Sequence, residues 1–599
     1  MQQHILNDRR LRAIRWTLWA ALACASVTQA APQPGARPPN IVVVVADDWA
    51  FSDVGAFGGE ISTPNLDALA RRGVRFTNFH VAASCSPTRS MLLTGVDHHT
   101  AGVGNLRETM PREHRGRPGY LGSLAPNVVT VATLLKEGGY RTYIAGKWNV
   151  GSEPYNLPPE RGFDRSIVQG DTGSDNWDPA QRYLPHTDRV EWFEDGKPAN
   201  MPATYYSSEY FVDRAIGYLK QDAGKAQPFF AYLGFQANHV PLQAPPEFIR
   251  KYRGRYDQGW DALRTERRNR MAEMGLIPPQ APMAAMPTTE SWSALSAPDK
   301  AYQARRMEVY AGMAEAMDYH LGRFVDYLRS TGELDNTVFV FLSDNGAEGS
   351  DYRDAQVWLM TQYSQSIDRL GGPGAYTILG PSWATATSAP FYGFKFYAGE
   401  GGIRTPMFIA GVPGAQAGAV QRSLTHVTDI APTLLDLAGL APQQGQHAGV
   451  AVAPVSGRSL APLLSGAQRA VRSGDDVLGY ELSGNLAVFR DHWKLVKNLP
   501  PVGDGQWHLY DLERDPGESQ DLQAREPERF AAMQRDYEVY AREHGVLPMP
   551  EGYNPTRQVL INSIFNYWLP AYGRQGLALA AVLAGALGWW WGRRRKRRA

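Results

Sequence analysis

Residues 41–45 form an unbroken β-branched run, Ile-Val-Val-Val-Val, with no polar position to mark a solvent side. A strand of that texture is buried on both faces, the habit of a parallel strand inside an α/β sheet. Further apolar runs at 143–145, 229–234, 338–342 and 406–410 predict more strands. Helical periods lie between them. Thr63-Pro64 opens a helix through Arg72, with Thr63 as cap, Pro64 in the first turn and Gly73 as the stop. Over 307–328, Met307, Tyr310, Ala311, Ala314, Met317, Leu321, Phe324 and Leu328 recur at intervals of three and four, the apolar stripe of a core-facing helix. Strands alternating with helices predict an α/β fold, a large, mainly parallel sheet flanked by helices. From about residue 449 the texture changes to short strands and turns (487–496, 508–511 and the Asp515-Pro516-Gly517 turn), which predicts a smaller C-terminal α+β subdomain over 449–546. Residues 547–575, with prolines and tyrosines, read as a stalk.

Composition and charge change this picture mainly at the two ends. At 599 residues and 43% hydrophobic content the chain buries a large core and is not a disordered polymer. The net charge is +1, but residues 1–30 carry +3 and residues 593–598 carry +6, so the body between them is acidic at −8. No basic face for nucleic acid is expected. In residues 1–30, arginines 9, 10, 12 and 15 precede an apolar run and a small-residue cleavage site, the layout of an export signal. Residues 576–592 (GLALAAVLAGALGWWWG) hold no charge and end in three tryptophans, with Arg-Arg-Arg-Lys-Arg-Arg following in the tail 593–599. At 1.5 Å per residue, seventeen apolar residues span roughly 25 Å, and the cations after them predict a cytoplasmic end. The expectation is a body on the periplasmic side of a bacterial inner membrane, with 576–592 as its transmembrane segment or, alternatively, a sorting tail removed after export. Of two cysteines, Cys24 leaves with the signal, so Cys85 stands alone and no internal disulfide forms.

Ligand sites in such sheets lie beyond the carboxyl ends of the strands. Two predicted strands end there on oxygen ligands: Asp47-Asp48 after the first, and Asp344-Asn345 in Phe-Leu-Ser-Asp-Asn-Gly, residues 341–346. An Asp-Asp pair alone is more often a turn or cap. Together with Ser-Asp-Asn-Gly it makes three carboxylates and an amide, a set for a hard cation, with calcium favoured over magnesium. Cys85 precedes Pro87 at the start of a helix running to about Leu93, where backbone N–H groups and the dipole favour an anion. With Arg89 one turn on, a thiol there is expected to be acidified.

Cys85-Ser-Pro-Thr-Arg89, followed by Leu93-Thr-Gly95, resembles the signature of the type I, formylglycine-dependent sulfatases of the alkaline phosphatase superfamily. The resemblance covers most of residues 38–525, and implies a sulfatase catalytic domain over 38–448. It takes in Gly146-Lys147-Trp148, Arg161-Gly-Phe-Asp164, Asn238-His239, Ser343-Asp-Asn-Gly346, Glu400-Gly-Gly-Ile-Arg-Thr-Pro406, Asp429-Ile-Ala-Pro-Thr-Leu-Leu435 and Leu509-Tyr-Asp-Leu512. Gly95-Val-Asp-His-His99 and Lys251-Tyr-Arg-Gly-Arg-Tyr256 are most similar to the bacterial arylsulfatase branch. The family oxidises the cysteine to formylglycine, the hydrated aldehyde of which is the nucleophile, so a formylglycine-generating enzyme is an implied partner. Position by position, the resemblance implies that Asp47, Asp48, Asp344 and Asn345 hold calcium, with the modified Cys85 completing the shell. It implies that Arg89 steadies the nucleophile, and that Lys147, Lys395 and a charged His239 surround a small-molecule sulfate ester, aryl esters first among them.

One position departs from that pattern. The family reads Gly-Lys-Trp-His, and this chain reads Gly-Lys-Trp-Asn149. An amide donates or accepts a hydrogen bond but takes no proton near neutral pH. The expectation is that Asn149 orients the nucleophile while water, His98 or His99 acts as base. Two other readings stay open: a phosphonate monoester or phosphodiester hydrolase with the same nucleophile, and a binding-only sulfatase fold. Pocket walls are expected from irregular stretches such as 352–388, with Tyr363, Tyr376 and Trp383.

Overall fold

The computed structural model describes residues 37–170, 172–185, 190–352, 355–570 and 590. The expected export signal, the basic tail and, apart from Trp590, the apolar segment 576–592 lie outside the described residues. Among those residues no helix is long and apolar enough to cross a membrane.

The strands of the main sheet are β1 (Asn40–Ala46), β2 (Gly73–Phe76), β3 (Arg141–Lys147), β4 (Arg165–Gln169), β5 (Trp192–Glu194), β6 (Lys197–Pro198), β7 (Phe229–Gly234), β8 (Thr337–Ser343), β9 (Met407–Ala410) and β10 (Val420–Gln421). They lie side by side in the order β10-β2-β9-β8-β1-β7-β3-β4-β5-β6. The central run from β8 to β4 is parallel throughout. Every residue of β1 is buried. Its Val42, Val44 and Ala46 join one apolar core with Met317 and Phe324, while Ile41, Val43 and Val45 join a second with Leu92 and Leu434. Alternate side chains thus enter opposite layers, as a strand covered on both faces requires. The run at 406–410 forms β9, but it is antiparallel to both β8 and β2, so the sheet is mixed toward that edge.

Two helices set the frame for the chemistry. Helix α1 (Pro64–Arg71) forms where expected, yet Thr63 does not cap it with its side chain. Its free N–H groups are met from a distant element: Asp318 accepts from the backbone of Asn65 at 3.1 Å and of Leu66 at 2.8 Å. Gly73 opens β2, because a Cβ there would stand 2.2 Å from the Ile409 carbonyl oxygen across the sheet. Helix α2 (Cys85–Thr94) starts at the cysteine and ends on Gly95 in the left-handed conformation, φ 69°. The long α3 (Ala297–Ser330) contains the predicted apolar stripe. A short α4 (Gln356–Gln362) follows in the irregular stretch after β8.

The C-terminal region holds a four-stranded antiparallel sheet, β11 (Val477–Leu482), β12 (Asn485–Arg490), β13 (Trp493–Lys497) and β14 (His508–Asp511). The single run expected at 487–496 is two strands, turned at Asp491 with φ 56°. One face of this sheet packs on α5 (Pro527–His544), with Met533 against Val488, Leu495 and Leu509. The other face sends Leu482, Ala487, Phe489 and Val496 against Ala83, Leu106, Ala398 and Ile403 of the main domain. Buried Lys494 on that face bridges Glu400 and Glu518, each at 2.9 Å. Where the pattern suggests a stalk, the described residues up to 570 dock on the body: the Leu547 amide donates to the Tyr120 hydroxyl and the Tyr553 hydroxyl to Thr109, both at 2.8 Å. A further helix, α6 (Pro555–Ser563), continues into a π-turn at Ile564–Trp568.

His99 joins these parts. Its imidazole lies 2.9 Å from Glu481 on β11 and 3.4 Å from Asp97, with Tyr540 of α5 edge-on to it. Burial opposes the imidazolium, but hydrogen bonds to Asp97 and Glu481 outweigh it and push the pKa up to about 9 from 6.5. A folded-state pKa raised this way gives stability that is whole below pH 6.5 and lost as pH rises through 9, about 3 kcal/mol over the interval. Urea unfolding at pH 6.5 and pH 9 is expected to show that loss in the native chain and not in His99→Gln; parallel pH dependence in the two proteins contradicts it.

Candidate active site

The site is built where β1 and β8, neighbours in the sheet, both end. Asp47 and Asp48 follow β1, Asp344 and Asn345 follow β8, and all four are fully buried. The backbone holds the two turns together: the Asp344 amide donates to the Ala46 carbonyl at 3.1 Å, and the Trp49 amide to the Ser343 hydroxyl at 2.9 Å. Asp48 takes a left-handed φ of 62°, which Asp tolerates better than most residues. Gly346 is dictated by space, since a Cβ there would lie 1.9 Å from the Gly401 carbonyl oxygen. Helix α2 brings Cys85 to the same point, its Sγ 3.4 Å from Asp47 Oδ1. One oxygen from each of Asp47, Asp48 and Asp344 and the sulfur of Cys85 lie within 4.8 Å of one another.

Three cations answer this negative charge. Arg89 grips Asp344 Oδ2 through Nε at 2.8 Å and through a terminal nitrogen at 2.7 Å, and its other arm donates to the Lys147 carbonyl at 3.0 Å. Lys147 Nζ donates to Asp47 at 2.5 Å. Lys395 Nζ lies 2.8 Å from Asp48 and 3.2 Å from Glu348. Burial works against every one of these charges, yet Asp47 holds Lys147 above the usual lysine range and Asp48 does the same for Lys395. Asp48 lies below the carboxylate range despite burial, through the charges of Lys395 and Lys147 and its hydrogen bond from Lys395. Asp344 goes the other way, up to about 6, because burial and the Asp47 charge outweigh Arg89.

The donor set fits a hard divalent cation. It consists of three carboxylates and an amide, and Asn345 donates its Nδ2 to Asp48 at 2.6 Å while its Oδ1 is buried with no hydrogen-bond partner. A buried orphan acceptor of this kind is satisfied by an ion. The expectation of an acidified thiol is corrected: burial, then the charges of Asp344 and Asp47, push the Cys85 thiol well above its ordinary value. The guanidinium meant to acidify it is committed to Asp344.

A cavity of about 580 Å³ opens on this cluster, and Cys85, Asn149, His239 and Lys395 line it. Arg89, Lys147, Asp47, Asp48, Asp344 and Asn345 are not among its lining residues; they lie behind the wall, so Lys147 is a partner of Asp47 before it is a ligand of anything in the cavity. Asn149 has a left-handed φ of 57°. His239 donates from Nδ1 to the Val240 carbonyl at 2.8 Å, in the tautomer that bond selects. Burial, then Lys147 and Lys395, hold its pKa well below the usual value, so in the free site it is neutral and not the imidazolium expected. His98 and His99 do not line the cavity. His98 is tied to the Val103 carbonyl at 3.0 Å and His99 to its carboxylates. They form with Asp97 the other group of metal-capable side chains among the described residues.

The sequence left several cavity residues unnamed. Glu348, two residues past Gly346, was readable as an acid beside the Ser-Asp-Asn-Gly turn, whereas Tyr183, Phe396 and Tyr567 carry no signal in spacing. Of the expected aromatic walls, Tyr363 and Tyr376 pack at 5.2 Å with their rings tilted by 54° in one cluster with Tyr183, and Trp383 is core among Tyr256, Trp260 and Trp292.

The profile of the family described as Sulfatase matches residues 39–440, and that of the N-sulphoglucosamine sulphohydrolase C-terminal region matches residues 391–538. An uncharacterized sulfatase of Schizosaccharomyces pombe is 39% identical over 87% of this chain and 96% of its own length. An arylsulfatase of Klebsiella aerogenes is 35% identical over 73% of this chain and 94% of its own length. The crystal structure of Ps i-CgsB superposes with a TM-score of 0.61, covering 90% of this chain and 99% of that one at 22% identity, a likeness of fold.

Proposed function

The chain belongs to the sulfatase family and is a sulfuric ester hydrolase, and we propose that it cleaves sulfate esters, aryl esters among them, through a formylglycine made from Cys85 beside a calcium ion held by Asp47, Asp48, Asp344 and Asn345. The observation that carries this reading is that Cys85, Lys395 and His239 line one cavity of about 580 Å³, with Cys85 and Lys395 in contact with the oxygen cluster behind its wall. The hydrated aldehyde supplies a nucleophilic hydroxyl, and calcium, when bound, stabilises charge on the sulfate oxygens. The chain's own residues do the rest. Lys395, fixed between Asp48 and Glu348, offers the cavity a positive charge that cannot swing away. His239, neutral until an anionic ester enters, gains proton affinity from that negative charge. Its Nδ1 is engaged by Val240, which leaves Nε2 to pass a proton to the leaving oxygen. Export by residues 1–30, attachment by 576–592 on the periplasmic side, and maturation by a formylglycine-generating enzyme belong to the same proposal.

Parallel assays on an aryl sulfate and an aryl phosphonate monoester test it. Sulfate release is expected to dominate and to fall at least about a thousandfold in Cys85→Ala. Faster turnover of the phosphonate, or unchanged activity in Cys85→Ala, overturns the reading.

With His98 and His99 outside the cavity lining, water is what remains of the three bases expected beside Asn149. Histidine is among the residues that adopt a left-handed φ, so Asn149→His fits the backbone. A positioned general base is worth on the order of a hundredfold or more, and Asn149→His is expected to raise steady-state turnover at least about tenfold with the gain in sulfate release. Burst and steady-state rates that fall together contradict this.

A further inference from the structure

A cavity that binds an anion has no obvious need of acids in its wall, yet Glu108, Glu191 and Glu348 line this one. Glu348 stands at the catalytic end. Its Oε2 lies 3.2 Å from Lys395 Nζ, and its side chain is 3% exposed. The backbone builds this placement from both sides. The Ser350 amide donates to Glu348 Oε1 at 2.8 Å, and the Lys395 amide donates to the carbonyl of Ala347, the residue before Glu348, at 3.0 Å.

Neither pairing nor metal binding accounts for the acid. Asp48 already lies 2.8 Å from the same ammonium group. A second buried carboxylate on one lysine adds a desolvation cost. Glu348 also stands outside the cluster of ligand atoms at Asp47, Asp48, Asp344 and Cys85. What it does add is repulsion. An oxygen accepting from Lys395 Nζ at about 2.8 Å is no more than about 6 Å from Glu348 Oε2.

Repulsion of this kind discriminates by charge. A sulfate monoester carries one negative charge, whereas a phosphate monoester carries two above its second ionisation, near about pH 6. A fixed unit charge about 6 Å away in a buried site disfavours each added negative charge at least about tenfold. Specificity commonly includes such an element, built against the wrong ligand.

We propose that Glu348 is a specificity-determining residue: its negative charge, fixed beside Lys395, admits esters that carry one negative charge and rejects those that carry two. The enzyme thereby separates sulfate from phosphate monoesters by charge and not by the central atom. A phosphonate monoester, singly charged, passes this filter, and what separates it from a sulfate lies elsewhere. The substrate clause rests on the sulfatase reading; the charge filter on bound anions stands without it.

The test compares the parent, Glu348→Gln and Glu348→Asp on one aryl group carried as sulfate, phosphonate monoester and phosphate, above the second ionisation of the phosphate. The phosphate-to-sulfate ratio of kcat/KM is expected to rise at least about tenfold in Glu348→Gln and to stay within about threefold of the parent in Glu348→Asp. The phosphonate-to-sulfate ratio is expected to stay within about threefold in both. An unmoved phosphate ratio in Glu348→Gln leaves Glu348 a positioning residue for Lys395 and overturns the proposal, as does an equal rise in Glu348→Asp. A phosphonate ratio that climbs with the phosphate ratio assigns the discrimination to the central atom and overturns it too. The second arm reads binding without turnover, by titration calorimetry of benzylsulfonate and doubly ionised benzylphosphonate. The affinity ratio is expected to move toward the phosphonate at least about tenfold in Glu348→Gln. Should the parent release sulfate from no ester, the sulfatase reading fails and this arm alone decides the filter. An unchanged affinity ratio, or binding of neither anion, overturns it.

Discussion

Three carboxylates, Asp47, Asp48 and Asp344, are buried together at the ends of two adjacent strands, and most of the surrounding architecture answers that concentration of charge. Burying an ionised carboxylate is costly unless it is paired and hydrogen-bonded. Lys147 and Lys395 each reach one of the three and Arg89 reaches two, Asp344 and, at 3.8 Å, Asp47; the cations come from different elements: α2, the end of β3, and the loop before β9. The parallel pairing of β1 with β8 fixes the distance between the two acidic turns. Asn345 and the Cys85 position add further donors at the same point. Removal of any one partner leaves an uncompensated buried charge, so catalytic geometry and local stability depend on the same contacts.

A second buried ionic group ties the C-terminal sheet to this centre. Lys494 on β13 lies between Glu400 and Glu518, and Glu400 also contacts His80 and Arg404. His80 precedes the catalytic loop, and Glu400 follows Lys395 by five residues. The apolar face of β11–β13 presses on Ala83 and Ala398 on either side of the site. The smaller sheet therefore acts as the back plate that holds the Cys85 and Lys395 loops in register, with no part of the cavity formed by the sheet itself.

Where local pattern and tertiary demand coincide, the sequence was readable. The β-branched run of β1, the stripe of α3 and the start of α2 at Cys85 each follow from neighbouring residues; the structure has β1 and α2 within a residue or two of the expected bounds, while α3 contains the stripe but begins ten residues before it, at Ala297. The acidic pair and Ser-Asp-Asn-Gly were visible because strand ends are where such sheets place ligands. What escaped depends on distant partners. Asp318, 253 residues from Asn65, supplies the cap assigned to Thr63. Burial, together with the charges of Asp344 and Asp47, reversed the expected shift of the Cys85 thiol, and burial beside two lysines left His239 neutral. The supposed stalk docks because Asn562 and Tyr553 find backbone carbonyls more than four hundred residues away.

The central claim is that this buried acidic cluster is a divalent-cation site around which the nucleophile and the lysines are arranged. Titration calorimetry of calcium into chelator-treated protein tests it without recourse to turnover. One calcium bound per chain, with binding weakened at least tenfold in Asn345→Leu, is the predicted result. No binding, or binding indifferent to Asn345→Leu, contradicts the account.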